Sequence, residues 1–198
     1  NLDVQLKRPV SMAPEVVFDK LVTRRRGGWC YEMNGLLGWV LSEIGFDVRR
    51  VEGGVMREAT GDGALGNHLC LVVRLDGQDY LVDVGFGSSQ VRAIPLEDGV
   101  SNHAPVRMAM ARTEDGYWRL HEGGPGSVTS YDFRPEAADE ALLAARHAWQ
   151  ISDPNSIFYK TLSAKIRRGT KYHILRGRVL ETQMPGRSEQ RILASPDE

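Results

Sequence analysis

The stretch HLCLVVRLDGQDYLVDVGFG, His68 to Gly87, sets two apolar, β-branched runs on either side of Asp76-Gly77. An Asp-Gly pair between such runs is a two-residue hairpin signal. In that register Leu75 faces Gln78, and counting outward sets Cys70 opposite Asp83 and His68 opposite Gly85. Side chains alternate with period two, so His68 and Asp83 point to one face as diagonal neighbours, about 7–8 Å apart at the backbone. A one-residue slip would send them to opposite faces. Asp83 also lies in an apolar run, YLVDVGF, where a carboxylate needs a partner once buried. A histidine supplies one.

Working outward, the segment after Gly45, from Phe46 to Pro135, reads as strand-rich: FDVRRVEGGVM, then APVRMAMARTEDGYWRLHEG with a second turn signal at Asp115-Gly116, then VTSYDFRP. The flanks are helical. Upstream, APEVVFDKLVTRR carries Pro14 in its first turn. From Asn34 to Ile44 the residues Leu36, Leu37, Val40, Leu41 and Ile44 form a stripe that Gly45 ends. Downstream, EAADEALLAARHAW is rich in alanine and leucine.

One thiol stands out. In RRRGGWCYEMNGLLGWVL, Arg24 to Leu41, Cys30 sits immediately before the expected helix, where unpaired N–H groups and the positive end of the helix dipole favour a thiolate. Gly27 and Gly28 leave room for a close approach. Against this stands packing as a small buried hydrophobe. A nucleophilic thiol requires a base and a group that orients the base, and His68 with Asp83 provides both. Cys70, among Leu69, Leu71 and Val72, reads as a core thiol. His103, His121, His147 and His173 lack a comparable acidic partner, and Glu32, Asp3 and Asp19 read as solvated charges. A metal on Cys30, His68 and Asp83 has no supporting ligand spacing.

The whole chain narrows the classes further. It has 198 residues with 25 Lys+Arg against 26 Asp+Glu, a balance that does not favour nucleic acid or an anionic membrane as partner. No apolar run approaches the ~18–20 residues that cross a bilayer, and no signal-peptide pattern opens the chain, so the cytoplasm is the expected location. Two cysteines outside any CxxC pair argue against a zinc site or disulfide framework. An opening NLDVQLKRP without an initiator methionine is expected of a fragment.

Three linked motifs carry a resemblance: RRRGGWCYEMNGLLGWVLSEIGF, NHLCLVV and YLVDVGFG, with 38 residues from Cys30 to His68 and 15 from His68 to Asp83. The chain resembles the arylamine N-acetyltransferase family, from NLD onward and more weakly through SDPNSIFYKTL and LRGRVLETQ. The resemblance implies an α+β fold with a papain-like cysteine-enzyme core: a helical N-terminal domain (1–45) carrying the nucleophile, an antiparallel β-barrel (46–150) carrying His and Asp, and an α/β lid (151–198). It also implies that the first helices and the end of the lid are cut short. Trp29 and Met33 stand where many members carry Tyr and Gln, which would reshape the pocket and spare the triad.

By the same resemblance, Cys30, His68 and Asp83 are a catalytic triad, Gly85 and Gly87 border the CoA phosphates or pantetheine, and Phe86 lines the acceptor pocket. The plain packing reading of Gly85-Phe86-Gly87 is a strand end. The implied reaction is ping-pong transfer of acetyl from acetyl-CoA to an arylamine, hydrazine or arylhydroxylamine, as in xenobiotic metabolism, with no metal and no tightly bound cofactor. A cysteine hydrolase or an amide synthase using the same triad, or a non-enzymatic binding module with an inert Cys30, are the alternatives.

Overall fold

The computed structural model describes residues 1–87, 89–124 and 127–195, with only the backbone at 124, 127 and 128. Helices α1 (Leu2–Gln5), α2 (Pro14–Phe18) and α3 (Cys30–Glu43) open the chain, α2 continuing as a wider π-type turn over Asp19–Thr23. Strand β1 (Asp47–Val55) follows, then the short helix α4 (Arg57–Thr60) and strands β2 (Leu65–Leu75), β3 (Gln78–Val82), β4 (Ile94–Pro95), β5 (Gly99–His103), β6 (Val106–Arg112), β7 (Trp118–Gly124) and β8 (Ser127–Phe133). Helices α5 (Glu140–Ser152) and α6 (Ile157–Lys160) lead to β9 (Ser163–Arg168), β10 (Lys171–Arg176), β11 (Val179–Met184) and β12 (Arg187–Ile192).

The first eight strands form one antiparallel sheet in the order β4-β3-β2-β1-β8-β7-β6-β5. Its inner faces share one core, in which Leu81 and Ile94 from one end join Val106 and Met108 from the other, so the sheet curls into a nearly closed barrel. Closure hides strand edges that would otherwise template association. The last four strands make a meander, β12-β11-β10-β9. Tyr172 and Ile174 of β10 enter the barrel core, so this small sheet lies against the barrel. The fold is α+β, as the resemblance implies.

Asp76-Gly77 closes the β2–β3 hairpin with both residues at positive φ, 50° and 82°, and Leu75 pairs with Gln78. This is the type I′ geometry that such a pair favours. The ladder, however, ends at Leu71–Val82, so His68 is not cross-strand from Gly85; its partner is Gly53 on β1. At Gly53/Gly54 the β1–β2 register shifts through a bulge. A Cβ on Gly53 would stand 3.2 Å from the His68 ring, so the glycine makes room for the imidazole. The Asp115-Gly116 turn is also present, but as part of a longer loop between Arg112 and Trp118.

Two helical expectations change. Helix α3 begins at Cys30, four residues before the apolar stripe, and its buried face differs from that stripe: Val40 and Ile44 are exposed, while Asn34 and Gly38 are buried. A Cβ on Gly38 would come within 3.0 Å of Leu71, so a small residue lets the helix lie close on β2. Helix α5 packs on the same strand and runs through residue 150. We propose domain divisions in the α3–β1 turn and after α5 rather than at 150.

Candidate active site

Cys30 occupies the first turn of α3, free and 5% exposed. The Glu32 carboxylate accepts a hydrogen bond from Trp29 N–H at 3.3 Å, satisfying one of the orphan donors at the helix start. Glu32 and Asp3 are not the solvated charges expected of them. Both are buried, and Lys20 Nζ bridges them, 2.6 Å from Glu32 Oε1 and 2.7 Å from Asp3 Oδ2. Arg26 adds a second cation at Asp3 (2.5 Å). Helical spacing around Lys20 carried no sign of this network, because its partners come from three segments. Asp19 does stay near the surface, paired with Arg24.

Beneath Cys30 the site is built on Asp83. Its Oδ2 lies 2.7 Å from His68 Nε2 and accepts a hydrogen bond from Tyr131 OH at 2.8 Å. Its Oδ1 accepts from Asn34 Nδ2 (2.8 Å), Gly85 N–H (2.8 Å) and Phe86 N–H (3.0 Å). Five donors satisfy a carboxylate that is 2% exposed. Burial alone would raise its pKa, but His68, Asn34 and Tyr131 hold it below the ordinary carboxylate value. Tyr131 is pushed well above the ordinary phenol value by burial and by Asp83.

His68 is also 2% exposed. Burial pulls its pKa down, yet the charge and hydrogen bond of Asp83, with a hydrogen bond to Cys30, outweigh burial and raise it to about 10. With Nε2 committed to Asp83, Nδ1 is the nitrogen left for the thiol. The structure thus brings Cys30, His68 and Asp83 together. Asn34 ties the three elements: it also donates to Leu69 O on β2 (2.6 Å) and accepts from Val84 N–H (2.9 Å). Sequence reasoning passed over Asn34 and Tyr131; an asparagine one turn past the cysteine, at the head of the apolar run Leu36 to Leu41, was the available signal.

Gly85 and Gly87 have packing reasons of their own. A Cβ on Gly85 would lie 2.5 Å from Cys30 Cα and 2.7 Å from Asn34 Nδ2. Gly87 has φ 89° and lies under the Lys165 stem and the Tyr172 hydroxyl. Phe86 packs against both His68 and Tyr131, with ring centroids 5.2 and 4.9 Å away, and those two rings also touch each other at 4.9 Å. Cys70 is fully buried in the barrel core with a thiol pKa raised by desolvation, as a core thiol should be. Of the remaining histidines, His103 is buried, its Nδ1 accepting from Val91 N–H, and His147 packs against Trp29 and Tyr31. Among the described residues no three His, Cys, Asp or Glu side chains cluster as a metal site.

A family model described as N-acetyltransferase matches residues 1–198. The chain belongs to the arylamine N-acetyltransferase family. It is 36% identical over 205 residues to the arylamine N-acetyltransferase of Mycolicibacterium smegmatis, covering 96% of this chain and 71% of that relative. The corresponding enzyme of Mycobacterium tuberculosis is 34% identical over 203 residues, with 98% and 71% covered. The solved structure of Mycobacterium marinum arylamine N-acetyltransferase in complex with CoA superposes with a TM-score of 0.87 at 32% identity, covering 98% of this chain and 74% of that one. The chain is therefore an acyltransferase of this family with its papain-like core, and no helix among the described residues is long and apolar enough to cross a membrane.

Proposed function

We propose that this chain transfers acetyl from acetyl-CoA to an arylamine, hydrazine or arylhydroxylamine through a thioester on Cys30. His68 takes the thiol proton at Nδ1, and Asp83 holds the resulting imidazolium. The Cys30 sulfur attacks the acetyl carbonyl. The new S–C bond forms as the CoA S–C bond breaks, and His68 returns its proton to the departing CoA sulfur. One thioester replaces another, so neither half-reaction is steeply uphill. The amine then attacks the enzyme thioester, its N–C bond forming as the Cys30 S–C bond breaks, and the surplus amine proton passes through His68 to the thiolate.

The carrying observation is the buried Asp83–His68 contact of 2.7 Å, with His68's other ring nitrogen left to Cys30. The CoA complex of the M. marinum relative supports acetyl-CoA as donor. Phe86, against the imidazole, would line the acceptor pocket, with Gly85 and Gly87 at the approach of the pantetheine; Gly85 N–H and Phe86 N–H are already engaged by Asp83, so donors for the developing oxyanion would come from the start of α3. The reaction would take place in the cytoplasm and require no bound metal or cofactor.

The test is the rate of CoA release with and without an arylamine. Release that depends on the amine, with stoichiometric acetylamide formed, supports transfer. Release at the same rate in buffer alone would reassign the triad to hydrolysis.

A further inference from the structure

Two buried carboxylates lie behind the nucleophile without taking part in the triad. Asp3 is 6% exposed and Glu32 3%, and the Lys20 ammonium joins them. Arg26 pairs with Asp3 as well, whereas Arg8, 3.8 Å from Asp3 and more than half exposed, adds little. Two acids and two bases, drawn from α1, the π-type turn, the loop before α3 and α3 itself, thus make a group with no net charge. Burial alone would raise the pKa of Asp3; Lys20 and Arg26 hold it below the ordinary carboxylate value.

Glu32 is the member nearest the chemistry. Its Oε2 accepts from Trp29 N–H at 3.3 Å and would lie 3.1 Å from a Cβ on Gly28, so the carboxylate sits against the backbone that leads into Cys30. A residue step of about 3.8 Å then keeps it within about 9 Å of Cys30 Cα. At that distance in partly buried protein, an uncompensated negative charge opposes a thiolate by about one pH unit. The cap that Glu32 supplies serves the helix and works against the sulfur. Lys20 removes the conflict.

We propose that Lys20 is a positioning residue for the reaction: it cancels the charge of the capping Glu32, so that α3 keeps its cap while the Cys30 sulfur keeps its negative charge. This rests on the transfer reading above, in which Cys30 is the nucleophile. The other ionisable groups around the thiol are His68 and Cys70 on β2, Asp83 beyond β3 with Tyr131 of β8 behind it, Tyr31 on α3, His147 on α5 and the amino group of Asn1. The substitutions below leave all of them in place.

Iodoacetamide alkylation is followed against pH in wild type, Lys20→Met, Glu32→Gln and the double variant, with the label mapped to the Cys30 peptide so that Cys70 does not contribute. In Lys20→Met the acid limb of the profile should move up by about one pH unit, because the unpaired carboxylate disfavours the thiolate. In Glu32→Gln, where the amide oxygen still accepts from Trp29 N–H and Lys20 is left in excess, the limb should move down. The double variant should return to within about 0.3 unit of wild type. A merely structural loss would lower the plateau rate and leave the limb where it is. A limb in Lys20→Met within about 0.3 unit of wild type overturns the proposal; if Lys20→Met does not fold, a limb in Glu32→Gln that fails to move down does the same. Alkylation is read without acetyl-CoA, so a folded wild type whose Cys30 titrates as an ordinary thiol refutes the transfer reading itself. Limbs that stay put on a thiolate already formed at neutral pH refute only the role of Lys20.

Discussion

Replacing Asp83 by Asn tests the base of the site. The amide oxygen can keep the three donors now on Oδ1, from Asn34, Gly85 and Phe86. The amide nitrogen then faces His68 Nε2 and Tyr131 OH, two groups that both donate to Asp83 in the charged state. His68 must answer with an unprotonated Nε2, which moves its proton to Nδ1 and points N–H at the thiol. In that tautomer it cannot accept the thiol proton. In a Ser-His-Asp triad the same wrong tautomer costs about 10⁴ in rate; here acylation should fall by about 10³-fold or more, on the order of 4 kcal/mol of barrier. Losing the acceptor of two of the five buried hydrogen bonds, and the charge behind all five, should also cost about 2–4 kcal/mol of stability.

The pH dependence of that stability difference has a definite sign. Asp83 is lowered from 3.8, so its contribution is present above that value and lost as the pH falls through its folded value. His68 is raised from 6.5 to about 10, so its contribution is complete below 6.5 and is lost as the pH rises to about 10. Urea melts of wild type and Asp83→Asn should therefore differ most between about pH 4 and 6.5 and converge toward pH 10. Stopped-flow acylation reads the rate. A variant that folds and acylates within tenfold of wild type, or a stability gap that widens toward pH 10, would refute this role for Asp83.

Other substitutions probe the frame. Gly85→Ala drives a Cβ to 2.5 Å from Cys30 Cα, so it should cost about 2–3 kcal/mol in denaturant melts and slow acylation by displacing the start of α3. Asn34→Ala strips partners from Leu69 O, Asp83 and Val84 N–H; a loss of about 2–4 kcal/mol is expected in the same melts. Lys20→Met leaves Asp3 and Glu32 buried with one cation fewer and should cost about 3 kcal/mol, part of which Glu32→Gln should restore in the double variant. If the double is no more stable than Lys20→Met alone, the Lys20–Glu32 pair does not couple.

How much of this was legible in the sequence follows physical lines. The Asp-Gly turn fixes register locally, so the same-face placement of His68 and Asp83 could be counted from residue 76 outward. What counting could not see is where the ladder stops: β3 leaves the sheet after Val82, and Asp83 is held by backbone N–H groups of its own turn and by Asn34. Periodicity placed α3 but misjudged its buried face, since approach to β2 is set by the absent side chain of Gly38 and the polar Asn34. Charge partners such as Lys20 with Asp3 and Glu32 meet only in three dimensions. The small sheet β9–β12 was expected only through the resemblance, as part of an α/β lid, and its strands could not be read from periodicity because β9 and β12 do not carry an apolar alternation: Ile166 and Ile192 face outward.

The central claim is that Cys30 carries the acyl group, and intact-mass measurement after mixing folded protein with acetyl-CoA addresses it directly. A single added acetyl group should appear, map to the peptide holding Cys30, vanish in Cys30→Ser, and discharge on addition of an arylamine. Folded protein that gains no acetyl group, or an adduct that survives Cys30→Ser, would contradict it.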